Sequence, residues 1–181
     1  MYLDQDDYIV FFLLNIYMFK LSEYSLSEIM NLPLPSISNQ KRLLFRPTLH
    51  DAKHVYMLLN EKVFYSELPM PYIYILPRRR KYWGMCLGDI LPYETGSLCE
   101  IELMDKWFCP QWFVTVIAHE MAHQHQWDIE GPKRYRKGKP FLMSHGPTFF
   151  RFRDRMKRYG IPLKTSHSMR KWFKHQDLFK C

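Results

Sequence analysis

The stretch Pro110-Gln111-Trp112-Phe113-Val114-Thr115-Val116-Ile117-Ala118-His119-Glu120-Met121-Ala122-His123-Gln124-His125-Gln126-Trp127 decides how the rest of the chain is read. It opens on proline, favoured in the first helical turn because the N–H it lacks has no partner there. Trp112–Ala118 is apolar nearly all round, which predicts a buried helix from about Pro110 to about Trp127. Two kinds of titratable residue follow directly on that greasy part. Buried His and Glu need partners, and a metal supplies one. His119 and His123 stand one helical turn apart and share a face. Two imidazoles so placed can hold one Zn2+ at about 2.0–2.1 Å. Glu120 projects beside that face, so it misses the metal but reaches a water on it and takes the proton that the metal makes acidic. This is the chemistry of H-E-x-x-H spacing. His119 and His123 are therefore candidate ligands, and Glu120 is the candidate general base.

A catalytic zinc needs a third protein ligand and one open position. The longer pattern H-E-x-x-H-x-x-G-x-x-H is not met, because Gln126 and Ile129 stand where Gly and His are required. The downstream candidates are His125, His145, His167, His175 and Asp154. His125, two residues past His123, points to another face of the helix. His145 stands just before Gly146-Pro147 at the start of the next helix, where a rigid element anchors it and the connection lets that helix fold back. It is the preferred third ligand. A nucleobase-deaminase site would need H-x-E with P-C-x-x-C, and neither is present.

Outward from this helix, Cys99–Leu103 alternates, with Ile101 and Leu103 on one face and Glu100 and Glu102 on the other, the period of a half-buried strand. Tyr72–Leu76 and Tyr82–Leu87 read as two further strands. A helix is expected from Thr48, whose spacing to Asp51 is that of a capping box, with Ala52, Val55, Tyr56, Leu59 and Val63 at helical intervals. Gly131–Ser144 reads as a basic loop, and a last helix runs from Pro147 to Gly160, with Pro162 beyond. Before Thr48, Tyr8–Phe19 reads as a buried helix, Ser25 and Glu28 cap a short one, and Asn31–Asn39 is a loop. The expectation is an α+β chain: an accessory segment at 1–47, a domain at 48–163 and a basic tail at 164–181. The domain holds a small antiparallel or mixed sheet of about three strands, the H-E-x-x-H helix and a following C-terminal helix.

Hydrophobic residues at 47% allow a real core, and a charged fraction of 24% argues against disorder. From Gly131 onward, 15 Lys and Arg face only Asp154 and Asp177, a net of +13; the remaining 11 basic and 16 acidic residues leave 1–130 at −5. Such asymmetry points to a polyanionic partner for the C-terminal half, with nucleic acid ahead of anionic membrane. Arg134, Arg136, Lys137 and Lys139, with Lys133, lie beside Arg151, Arg155 and Arg158, which recur at helical spacing. Together they offer a groove for a phosphate backbone. Trp127, Tyr135 and Trp172 offer faces on which single-stranded bases can stack, and Arg78–Lys81 adds charge. The bland alternative is a solvated basic face. Cys86, Cys99, Cys109 and Cys181 form no C-x-x-C pair. Met1–Asp7 is acidic where a signal peptide is basic, and Tyr8–Phe19 is shorter than the ~17–25 residues of a membrane span. These features predict a cytoplasmic protein with free thiols and no transmembrane segment.

The pair His119-Glu120-Met121-Ala122-His123-Gln124 and Ser144-His145-Gly146-Pro147-Thr148-Phe149 resembles the SprT/Spartan family of zinc metalloproteases, in which H-E-M-x-H is followed by an H-G-x-x-F element that supplies the third His. Leu59–Phe64 with Glu67-Leu68-Pro69 is similar to the family's opening helix and its exit, and Tyr82–Cys86 and Cys99–Leu103 to the strands before the metal helix. The likeness covers about His50 to Leu163. It implies a compact zincin-like domain that hydrolyses peptide bonds, with one zinc held by His119, His123 and His145, and Glu120 as catalytic acid/base. Spartan-type members act on proteins attached to DNA. The family includes small phage-type proteins, for which the compartment would be the host cytoplasm. Two features depart from the pattern: the long basic connection between His123 and His145, and the lack of a counterpart to the zinc ribbon of bacterial members. The competing expectations are a DNA- or protein-binding module in which zinc is structural, and a zinc hydrolase with a non-protein substrate. Glu120 favours an enzyme, because a purely structural zinc has no use for a base.

Overall fold

Thr48 and Asp51 form the capping box their spacing predicts: Asp51 N–H donates to Thr48 Oγ1 at 3.1 Å and Thr48 N–H donates to Asp51 Oδ2 at 2.8 Å. In the computed structural model, which describes residues 20–34, 45–77, 82–89, 91–131 and 145–166 and the backbone of 134–136 and 139–141, this box starts helix α2, Leu49–Lys62. The shorter α1, Leu26–Met30, starts on the predicted box of Ser25 and Glu28. Asp51 has a second use. It is buried, and its Oδ1 accepts the N–H of Leu21 at 2.8 Å. Gln111 Nε2 donates to the Leu32 carbonyl at 2.6 Å, and Phe45 pairs with Trp107 in an isolated antiparallel bridge. The described part of the N-terminal segment is thus tied to the same core, with Leu21, Leu26, Ile29 and Phe45 buried in it. Tyr8–Phe19 lies outside the described residues.

Three strands form one mixed sheet in the order β1-β3-β2: β1 is Tyr72–Leu76, β2 Gly84–Gly88 and β3 Cys99–Met104. β1 runs parallel to β3, with Ile73 opposite Ile101; β2 runs antiparallel to it, with Cys86 opposite Ile101. The predicted alternation of β3 holds, with Cys99, Ile101 and Leu103 buried and Glu100 and Glu102 half-buried on the other face. β2 starts two residues later than the sequence suggests, at Gly84, and Gly84, Cys86 and Gly88 pair with the buried Leu103, Ile101 and Cys99 of β3.

Helix α3, Pro110–Asp128, covers that face; all its residues through Ala122 are buried. Two glycines let it come close. A Cβ on Gly84 would stand 2.7 Å from Val116 Cγ1, and one on Gly88 would stand 2.4 Å from the Trp127 ring. A buried polar network fixes its rotation. Gln124 Nε2 donates to the Pro69 carbonyl and to Asp128 Oδ2, both at 2.8 Å, while Tyr56 donates to Gln124 Oε1 at 3.0 Å. Asp128 Oδ1 accepts from Leu98 N–H at 2.6 Å, just before β3. With Gln124 and Asp128 held on this side, the His119/His123 face of α3 is aimed at the chain that returns after it.

That return corrects one expectation. Within the span read as a loop, Arg134–Arg136 (β4) and Lys139–Phe141 (β5) pair antiparallel, with Arg136 opposite Lys139. The last helix also begins differently: Phe149–Phe152 is a 3-10 turn, and only Arg153–Arg158, helix α4, is α-helical. It ends where glycine predicts. Gly160 has φ +70°, and the N–H groups of Gly160 and Ile161 donate to the carbonyls of Lys157 and Met156, the bonding of a Schellman cap. Four α-helices and a three-stranded mixed sheet make an α+β architecture among the described residues. None of these helices is long and apolar enough to cross a membrane.

Candidate metal centre

Three imidazoles converge from two segments. His119 and His123 come from α3, and His145 from the turn that precedes the 3-10 segment. Their ring centroids are 4.9 Å (119–123), 4.9 Å (123–145) and 5.3 Å (119–145) apart. One nitrogen from each ring lies within 4.8 Å of the others. The Nε2 atoms of His119 and His145 are 3.5 Å apart. Two nitrogens on a tetrahedral zinc would be separated by about 3.3–3.4 Å, given bonds near 2.0–2.1 Å. The donor set therefore fits a divalent ion with little movement. Burial lowers the His123 pKa to about 4 and pushes that of His145 below the usual imidazole range, which favours the neutral, lone-pair-bearing form of these two rings near neutrality.

Phe149 forms the floor. It is fully buried, and its ring centroid lies 4.9, 4.6 and 4.7 Å from those of His119, His123 and His145. It opens the 3-10 segment that follows the His145 turn, so one short stretch of chain supplies both a third imidazole and the apolar surface against which all three rest. Phe152 and Met156 are also buried.

Glu120 sits between α3 and β2. Its Oε2 accepts the N–H of Cys86 at 2.8 Å, on the outer strand of the sheet. The absence of a side chain at Gly84 gives it room, since a Cβ there would stand 3.1 Å from Glu120 Cγ. Burial raises its pKa to about 7, against the Cys86 N–H, which acts in the opposite direction. A carboxyl group in that range can both take and return a proton near neutrality.

Of the other candidate ligands, His125 points away from the cluster. It is fully buried, 4.7 Å from the Phe152 ring and 3.7 Å from Glu67 Oε2. Asp154 is not part of the cluster, and His167 and His175 lie outside the described residues. The basic residues are dispersed in role. Arg151 pairs with Glu130 at 2.9 Å; Arg155 donates to the Lys62 carbonyl at 2.6 Å and lies 3.6 Å over the Tyr65 ring; Arg158 is exposed. Arg134, Arg136 and Lys139 fall on the hairpin, and Lys137 lies outside the described residues. The role of Gln126 went unread in the sequence, where it registered only as a mismatch to a longer zinc motif. Its Oε1 lies 3.1 Å from His123 Nδ1.

No protein-family model matches the chain, and a search of curated proteins finds no match. The functional reading therefore stands on the geometry of the site and on the motif resemblance.

Proposed function

We propose that this protein is a single-zinc metallopeptidase of SprT-like type, with a zincin-like domain, acting on DNA-associated proteins in the cytoplasm. The observation that carries the reading is the convergence of His119, His123 and His145; Glu120, next to His119 in the chain, is buried and held by the Cys86 N–H. When bound, zinc would acidify a water and polarise the scissile carbonyl. The chain's own residues supply the rest. His119, His123 and His145 would hold the ion as a three-nitrogen set. Cys86 N–H holds one oxygen of Glu120, so the carboxylate is fixed in place and its other oxygen can receive a proton and pass it to the leaving amine. Phe149 keeps the imidazoles packed and dry on their inner side. The net charge of +13 from residue 131 onward supports the DNA-associated part of the proposal.

The test is cleavage of a denatured protein substrate by the wild type and by Glu120→Gln, each with its zinc content measured. Glutamine is nearly isosteric but cannot accept the proton, so the variant should keep its zinc and lose at least a hundredfold in rate, within the range typical of general-base removal. Equal rates would remove Glu120 from the mechanism.

A further inference from the structure

Gln126 is 2% exposed and touches both ligand-bearing segments. Its Oε1 lies 3.1 Å from His123 Nδ1, and its Nε2 donates to Thr148 Oγ1 at 2.9 Å. Thr148 is three residues beyond His145 and one before Phe149. An amide oxygen can only accept, so with Oε1 facing the ring, Nδ1 of His123 carries the proton and Nε2 keeps its lone pair. The reversed amide would present N–H groups to Nδ1 and favour the tautomer whose Nε2 cannot ligate through a lone pair. In the structure the amide nitrogen is directed to Thr148 Oγ1 and Oε1 to the imidazole.

We propose that Gln126 is a positioning residue of the metal centre: it fixes the Nδ1–H tautomer of His123 and, through Thr148, fastens the His145 turn to α3. This rests on the metal reading above. One amide thereby does two jobs. It sets which nitrogen of His123 faces the ion, and it ties the two segments whose relative position determines the distance between ligands. Partners of this kind outside the ligand set raise the basicity of a ligating imidazole and hold its ring.

The experiment is zinc affinity of the full chain, measured by competition with a chromogenic chelator, for wild type, Gln126→Leu, Gln126→Glu and Thr148→Val, with thermal melts of the metal-free forms. Q126L should bind zinc about 10–100-fold more weakly, the usual cost of losing such a partner. Q126E should match or exceed the wild type, because a carboxylate accepts the same Nδ1–H; T148V should fall between. Nitrogen-15 NMR of the metal-free protein should show His123 protonated at Nδ1 in the wild type and a tautomer mixture in Q126L. Unchanged affinity in a folded Q126L, or Q126E as weak as Q126L, would overturn the role of Gln126. If Q126L does not fold, a weakened T148V beside a fully competent Q126E supports the proposal, and an unchanged T148V overturns the link to the His145 turn. A wild type that takes up no zinc would instead defeat the metal centre itself, and the role of Gln126 with it.

Discussion

Gly84 has no room for a β-carbon, since the added atom would stand 2.7 Å from Val116 Cγ1 and 3.1 Å from Glu120 Cγ. Gly84→Ala should therefore force α3 away from β2 and lower stability by about 1–3 kcal/mol, the usual cost of overpacking. A thermal melt checks this, and an unchanged melting temperature would show that the contact yields. Among the histidines, the expectation is a contrast between two substitutions. His145→Ala should lose most of its metal, whereas His125→Ala should keep it, because His125 packs against Phe152 on another side of α3. Elemental analysis of the two variants decides; metal loss from H125A with retention in H145A would reverse the assignment. At this scale the sequence pointed to the three histidines that converge, two through their spacing and His145 through its place before Gly146-Pro147. It did not reveal Phe149 as the floor of the site or Gln126 as a partner of His123. Both depend on how α3 and the 145–149 turn face each other, which no local pattern encodes.

The elements were legible where the chain carries its own stop and start chemistry. Thr48 with Asp51, Ser25 with Glu28, Pro110 and Gly160 each fix a helix end through bonds within a few residues. The strand β2 was placed less well, because its helix-facing Gly84, Cys86 and Gly88 register as small rather than apolar and the alternation goes unseen. The β4–β5 hairpin is hidden for a related reason: Pro132, Gly138 and Pro140 among basic residues have the composition of a loop, and no apolar alternation marks the paired strands. Asp51 shows how an element signal can carry more than it declares, since it caps α2 and also accepts the Leu21 N–H. Thr48→Ala should cost about 0.5–2 kcal/mol, as cap losses do. Asp51→Ala should cost more, because it also leaves a buried N–H unpaired at about 1–3 kcal/mol. Denaturant unfolding of the two variants compares them directly; equal losses would mean that the Leu21 contact contributes nothing.

For the whole molecule, the separation of charge, −5 up to residue 130 and +13 beyond, is the feature that reaches past the fold. If the basic half follows a phosphate backbone, affinity for labelled DNA should fall steeply with salt, and replacing Arg134, Arg136, Lys137 and Lys139 with Ala should flatten the log–log slope by up to about 3–4, one counterion per lost contact. Arg151→Ala should change it less, because Glu130 already neutralises that guanidinium. Fluorescence anisotropy with single- and double-stranded DNA reads both slopes, the single strand being the better ligand if Tyr135 and Trp172 stack on bases. An unchanged slope in the fourfold variant would move the DNA contact elsewhere. The enzyme reading itself is tested most directly by titrating zinc into metal-stripped protein while following cleavage of a denatured protein substrate. Cleavage should be absent at the start, rise in proportion to added zinc and level off at one ion per chain. Cleavage without metal, or zinc bound at one per chain with no cleavage of any protein offered, would contradict it.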